Sequence, residues 1–215
     1  AAIRTETDLA KREALMHEAE DELMSTWVVI PLYYYNDVYL QKTDVEGIYA
    51  NLFGFKYFGF ATTPTNTLAL QIASEPNKLD PALNSTVDGA CLAILAFSGL
   101  FMYDENGQLT PDLVDTYEMS EDGLTYTFTM KDGLKWSDGT ELTAKDVEYS
   151  WQRLANPDTG ADYAYLTTVI KTKDDGTLDV AASEDGKTFT VNLVAPCAYF
   201  LDLCAFPAFY PVPQA

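Results

Sequence analysis

Asp122-Gly123-Leu124-Thr125-Tyr126-Thr127-Phe128-Thr129-Met130, followed by Lys131-Asp132-Gly133 and by Thr143-Ala144-Lys145-Asp146-Val147 on the way to Trp151 and Leu154, decides how this chain is to be folded. Threonine at 125, 127 and 129 alternates with Tyr126, Phe128 and Met130, the two-residue period of a strand with one face in the core. The Asp-Gly pairs on either side favour tight turns that need a positive φ. Thr143 with Asp146 has the spacing of a capping box, and Val147, Trp151 and Leu154 follow at helical spacing, which predicts a helix over about 144–155. Pro157 and Gly160 then stop it.

Working outward, Phe189, Val191 and Leu193 repeat the alternation, as do Leu68, Leu70 and Ile72, so both stretches read as strands with one buried face. Asp-Gly pairs begin at Asp88, Asp122, Asp132, Asp138, Asp175 and Asp185 and predict hairpins. Asp104-Glu105-Asn106-Gly107 reads as a turn and not a calcium loop, because no glutamate stands at the offset where an EF-hand needs its bidentate ligand. Strands close in sequence and few helices suggest a mixed α/β (α+β) fold: a mixed β-sheet with flanking helices and β-hairpins, not a regular βαβ alternation.

The first 60 residues have a different texture. Leu9, Met16, Ala19, Leu23 and Trp27 recur near helical spacing among Lys11, Arg12, Glu13, Glu20 and Asp21, with Thr5 and Asp8 as the capping pair. Residues 27–40, with Val28-Val29-Ile30-Pro31-Leu32-Tyr33-Tyr34-Tyr35, read as an extended β-prone segment. Phe53, Phe55, Tyr57, Phe58 and Phe60 follow with glycines between them, and Ala61-Thr62-Thr63-Pro64-Thr65-Asn66 has the small, polar, aperiodic make-up of a junction.

Composition narrows the function. A chain of 215 residues that is 47% hydrophobic and 13% aromatic can build a core. Its formal charge of -20 repels phosphate backbones and anionic membranes, so nucleic acid is a poor partner. No run of about 20 apolar residues occurs, and the N-terminus lacks the basic-then-apolar pattern of a secretory leader, as in a cytosolic protein or one whose leader has been removed. Cys91, Cys197 and Cys204 are too few for a disulfide scaffold and have no metal-ligand spacing with the single histidine, so Cys197 and Cys204 read as core thiols. His17 lies in charged helical sequence, and neither a nucleophile-elbow motif nor a phosphate-cradling glycine motif is present. Neighbouring carboxylates, the remaining route to hydrolysis, carry no weight in a chain with 33 acidic residues. No enzyme, cofactor or metal is expected. The 14 tyrosines and three tryptophans suit either sheet packing or recognition of peptides or sugars.

Several stretches resemble one family, the peptide-binding branch of the solute-binding proteins (family 5) that serve bacterial ABC importers. Ala73-Ser74-Glu75-Pro76-Asn77-Lys78-Leu79-Asp80-Pro81 is similar to its opening strand and Leu-Asp-Pro turn, and Asp122 to Phe128 to its first hairpin. Gly133-Leu134-Lys135-Trp136-Ser137-Asp138-Gly139, with Leu142 to Trp151, is the most specific match. Ala195-Pro196, Tyr199-Phe200, Phe206-Pro207 and Pro211-Val212 look like the family's return to its first lobe. Residues 1–60 resemble the family's C-terminal end, placed here ahead of its N-terminal lobe in residues 67–215, with 61–66 as the junction.

The resemblance implies one lobe of a type II periplasmic-binding fold, circularly permuted by design, without the second lobe. It implies a non-enzymatic binder of oligopeptides, periplasmic or lipid-anchored outside the cell membrane, whose partners are a peptide and the importer's permease. Ser85, Thr86, Val87, Tyr163 and Tyr35 are the ligand-facing positions that it carries over. With half the enclosing surface gone, it implies weak or absent binding and self-association through the exposed cleft face. A scaffold without binding activity, or a site for an oligosaccharide or nickel complex, stands as the alternative.

Overall fold

A computed structural model describes residues 2–34, 36 and 38–214. The chain opens with a single helical turn, α1 (Ala2–Thr5), and a longer helix, α2 (Leu9–Ser25). Asp8 alone caps α2, accepting from the Lys11 N–H, while Thr5 ends α1 and plays no part in the cap. The expected apolar stripe buries nothing: Leu9, Met16, Leu23 and Trp27 are all exposed, because no surface among the described residues covers them. Arg12 links α2 to the rest of the molecule, its guanidinium 5.4 Å from the centre of the Tyr199 ring. Residues 28–43 carry neither helix nor strand where described; Tyr35 and Asp37 lie outside the described residues.

A two-residue ladder, β1 (Tyr49–Ala50) against β2 (Lys56–Tyr57), follows. It holds together through aromatic stacking and is tied to the rest of the molecule by two long-range bonds, one of them from the Lys56 N–H to the Cys91 sulfur at 3.2 Å. Tyr49 stacks on Tyr57 with centroids 4.6 Å apart, and its hydroxyl donates to the Tyr103 carbonyl at 2.9 Å. Residues 67–73 form no strand, contrary to their alternation. Among the described residues no backbone pairs with them, and a strand without a neighbour has no ladder to hold it.

The helix α3 (Val87–Ala96) is capped by Thr86, whose hydroxyl accepts from the Gly89 N–H. This places Asp88-Gly89 in a first helical turn, where it makes no hairpin; the other five glycines take φ between 68° and 90°, and of those five pairs the one at 132–133 turns the chain without joining two paired strands. Gly89 is needed for closeness: a Cβ there would fall 1.9 Å from the buried Asn84 Oδ1. A hairpin of β3 (Phe101–Tyr103) and β4 (Leu109–Pro111) turns at Asp104, whose carboxylate accepts from the Asn106 and Gln108 N–H groups. That stretch is the turn its sequence suggested.

The core is a four-stranded sheet of β5 (Val114–Met119), β6 (Thr125–Met130), β7 (Val180–Ala182) and β8 (Thr188–Asn192), in the order β5-β6-β8-β7. Every described pairing is antiparallel, so the sheet is not mixed in strand direction. Asp-Gly turns at 122–123 and 185–186 join sequence neighbours directly, which only antiparallel strands allow. Phe128 faces Phe189 and Tyr126 faces Val191 across the β6–β8 ladder, all buried.

Onto that face packs α4 (Ala144–Ala155), with the predicted boundaries and both halves of the Thr143/Asp146 capping box. Val147, Trp151 and Leu154 are fully buried. The Trp151 ring meets Phe189 and Phe209 edge-on at 5.0 Å, and its Nε1–H donates to the Phe209 carbonyl at 2.9 Å. Short 3-10 turns at Pro157–Thr159, Ala164–Val169 and Pro207–Phe209, with α5 (Phe200–Cys204), pack beside α4 around the same core, where Trp151 also meets Phe200. Cys197 and Cys204 are buried free thiols, as expected, and His17 is exposed. Among the described residues no helix is long and apolar enough to cross a membrane.

Candidate functional site

The loop from Asp80 to Thr86 is built by its own side chains. The Asp80 main-chain carbonyl accepts from the Leu83 and Asn84 N–H groups, and its carboxylate accepts from the Ala82 N–H. That carboxylate also takes a two-pronged bond from Arg153 of α4, at 3.0 and 2.6 Å, which ties the loop to the core helix. Burial alone would raise the Asp80 pKa, but Arg153 and the loop N–H groups outweigh it and hold the carboxyl below its ordinary value. Asn84 is buried and works as a piece of backbone: its Oδ1 accepts from the Thr86 N–H and hydroxyl, and its Nδ2 donates to the Thr86 carbonyl.

This hardware sets Ser85, Thr86 and Val87 at the N-terminal end of α3, exposed, around a small open cavity of about 50 Å³. Phe55 closes the cavity from the β1–β2 segment; Tyr163 and Phe206 close it from the two chain stretches flanking the far side. Phe206 meets Tyr163 edge-on at 5.2 Å and lies 5.8 Å from Phe55. The Thr86 hydroxyl is committed to the cap of α3, so what Thr86 can offer a ligand is its main chain. The first-turn N–H groups of Val87 and Asp88 have no intrahelical acceptor, as at any helix start. Ser85 donates to the Asp162 carboxylate at 2.7 Å. Hydrogen-bonding backbone beside aromatic walls suits an extended polar chain carrying side groups.

Four of the five positions carried over by resemblance, Ser85, Thr86, Val87 and Tyr163, thus line one cavity; the fifth, Tyr35, lies outside the described residues. Sequence reasoning missed Phe55, Asn84, Phe206 and Asp162. Phe55 comes from a segment 30 positions before Ser85 and had no local signal, whereas Asp162 stands directly before Tyr163 and could have been taken with it. A second, larger groove of about 700 Å³ runs between α1 and the 3-10 turn at 164–169, walled by Tyr165, Val169, Val194, Pro196 and Tyr199. Among the described residues no three His, Cys, Asp or Glu side chains are grouped to hold a metal.

Fold and site define a lobe of a solute-binding protein of the periplasmic type, and comparison with known proteins agrees. The model of bacterial extracellular solute-binding proteins, family 5 (middle region), matches residues 108–215. A dipeptide-binding protein of Lactococcus lactis is 36% identical over 73% of this chain and 30% of its own length. The oligopeptide-binding protein OppA of Bacillus subtilis is 37% identical over 68% of this chain and 28% of its own. The solved pheromone receptor PrgZ, described with its mode of peptide binding, superposes with a TM-score of 0.63 at 36% identity, over 66% of this chain and 30% of the receptor. The chain belongs to the family 5 solute-binding proteins and spans about 30% of the length of such relatives.

Proposed function

We propose that this chain is the ligand-contacting first lobe of an extracytoplasmic oligopeptide-binding protein that delivers its ligand to the permease of an ABC importer. The convergence of Ser85, Thr86, Val87 and Tyr163 on one cavity, in a chain of this family, carries the proposal. Their roles are main-chain hydrogen bonds at the start of α3 and aromatic contact from Tyr163. The relatives named above are peptide-binding by their own descriptions, which favours peptide over sugar or metal complex.

The order of the segments belongs to the same proposal: residues 1–60 are a C-terminal-type segment set ahead of the N-terminal lobe in residues 67–215, joined through 61–66. Its support is the exposure of α2 and of residues 28–34, surfaces that an altered chain order would leave uncovered. Such surfaces favour self-association. A lobe that contacts its ligand from one side binds it weakly, since enclosure supplies most of the buried area. Calorimetric titration of the chain with a mixture of tri- to pentapeptides tests this: weak, saturable heat is expected. Binding as tight as nanomolar would overturn the one-sided site, and no heat at any concentration would overturn the peptide reading.

A further inference from the structure

We infer that the open edge of β5 is a docking site for an extended segment of a partner protein, one that alternates apolar and basic side chains and joins the sheet as a further strand. The edge shares no residue with the cavity at Ser85 to Val87, so the inference goes beyond the proposed function and does not depend on it.

The four-stranded sheet has two edges, β5 and β7, and the chain treats them differently. β7 is three residues long, and two of its outward groups are met from within the chain: the Ala182 N–H donates to the Glu148 carboxylate at 2.9 Å, and the Val180 carbonyl accepts from the Lys173 ammonium at 3.3 Å. β5 is six residues long, and Asp115 to Met119 are all exposed. Its ladder with β6 fixes where its main chain points. The Ser120 N–H donates to the Thr125 carbonyl, and antiparallel pairing alternates, so the main-chain groups of Thr116 and Glu118 face β6 while those of Tyr117 and Met119 face outward. Among the described residues nothing bonds these outward N–H and C=O groups.

The two faces of β5 say what the added strand carries. Tyr117 lies across from Phe128 and Met119 across from Tyr126, so both sit on the apolar face of the sheet, yet they are 42% and 54% exposed because no strand lies beyond them. Glu118 lies across from Thr127 on the opposite face, and no lysine or arginine among the described residues pairs with it. A strand added here gains from apolar residues beside Tyr117 and Met119 and a basic one beside Glu118, since cross-strand neighbours of these kinds stabilise a pair. A second copy of this chain fits badly. Its β-prone stretches outside any strand, residues 28–34 and 67–73, hold no lysine or arginine, and it brings a net charge of -20 to an acidic edge. Asp115, Glu118 and the bulge between Val114 and Thr116 thus guard the edge against like chains and leave Tyr117 and Met119 open to a basic one.

Hydrogen exchange of the full chain, read amide by amide by NMR, tests this with a blocked peptide of alternating valine and lysine as the probe. At about ten times its dissociation constant the peptide should slow exchange about 10-fold at Tyr117 and Met119. Thr116 and Glu118, whose N–H groups already bond to β6, should be unchanged, as should Ala182 at the other edge. A valine–glutamate peptide of the same length should protect neither Tyr117 nor Met119, and nor should the valine–lysine peptide with every backbone nitrogen methylated. Glu118→Gln, which leaves the ladder intact, should weaken the valine–lysine peptide about 2- to 5-fold. Met119→Pro removes an outward N–H and no ladder bond, and should weaken it further than Glu118→Gln does. No protection at Tyr117 and Met119, equal protection by the valine–glutamate peptide, or unchanged affinity in Glu118→Gln would each overturn the inference. So would protection of the same two amides that grows with protein concentration in the absence of peptide, which would make a second copy the occupant.

Discussion

Helices α2 and α4 invite comparison, since both start at a side-chain cap and both place apolar residues at helical spacing. One buries Val147, Trp151 and Leu154 completely; the other buries no residue at all. The difference lies outside the helices. The apolar face of α4 meets a sheet whose own alternation leaves Phe189 and Val191 pointing at it, while the stripe of α2 meets solvent. Helical spacing in a sequence says that a face exists and is silent on what covers it. A cap and a period make a helix; a second surface makes it part of a core.

The largest expected break in that contrast is Trp151→Ala. It removes a fully buried indole, empties the space between Phe189 and Phe209 and strands the Phe209 carbonyl, at a cost of about 3–5 kcal/mol, read as a fall in the urea midpoint. Arg153→Met should cost less, about 1–2 kcal/mol at pH 7, because the pair with Asp80 is only partly buried. Its pH dependence has a definite sign. Asp80 titrates below its ordinary value when folded, so its contribution is present above about pH 4 and is lost as the pH falls through the native value. The stability gap between wild type and Arg153→Met should therefore narrow below pH 4 in denaturation curves. The smallest effect belongs to α2: Leu23→Ala should change stability by under about 0.5 kcal/mol. The same substitution should lower the mass seen by light scattering at high concentration if the uncovered stripe drives association.

Much of the core was legible for reasons these helices make plain. Tyr126, Phe128 and Met130 announced a half-buried strand, and Thr143 with Asp146 announced where α4 begins, because alternation and caps are local physics. Leu68, Leu70 and Ile72 carried the same alternation and make no strand, since pairing depends on a neighbour that no local pattern names. Asp88-Gly89 looked like a turn and lies in a helix, because Asn84, five residues back, needs the space a Cβ would fill. The site divided along the same line. Ser85, Thr86, Val87 and Tyr163 came from motif resemblance, which carries positions but not their surroundings. Phe55 and Phe206 reach the cavity through tertiary packing alone and had no local sign.

The aromatic clasp around Tyr49 has one more consequence. Residues 46–62 are held to the lobe by the Tyr49 hydroxyl on the Tyr103 carbonyl, the Lys56 N–H on the Cys91 sulfur, and Phe53 and Phe55 against Phe206, while the connecting stretch through 63–73 is largely exposed and outside any ladder. Peptide-bond continuity there does little of the holding. A nick within that stretch would leave two fragments that still recognise each other, and the wall contributed by Phe55 would remain as a docked piece, not a tethered one.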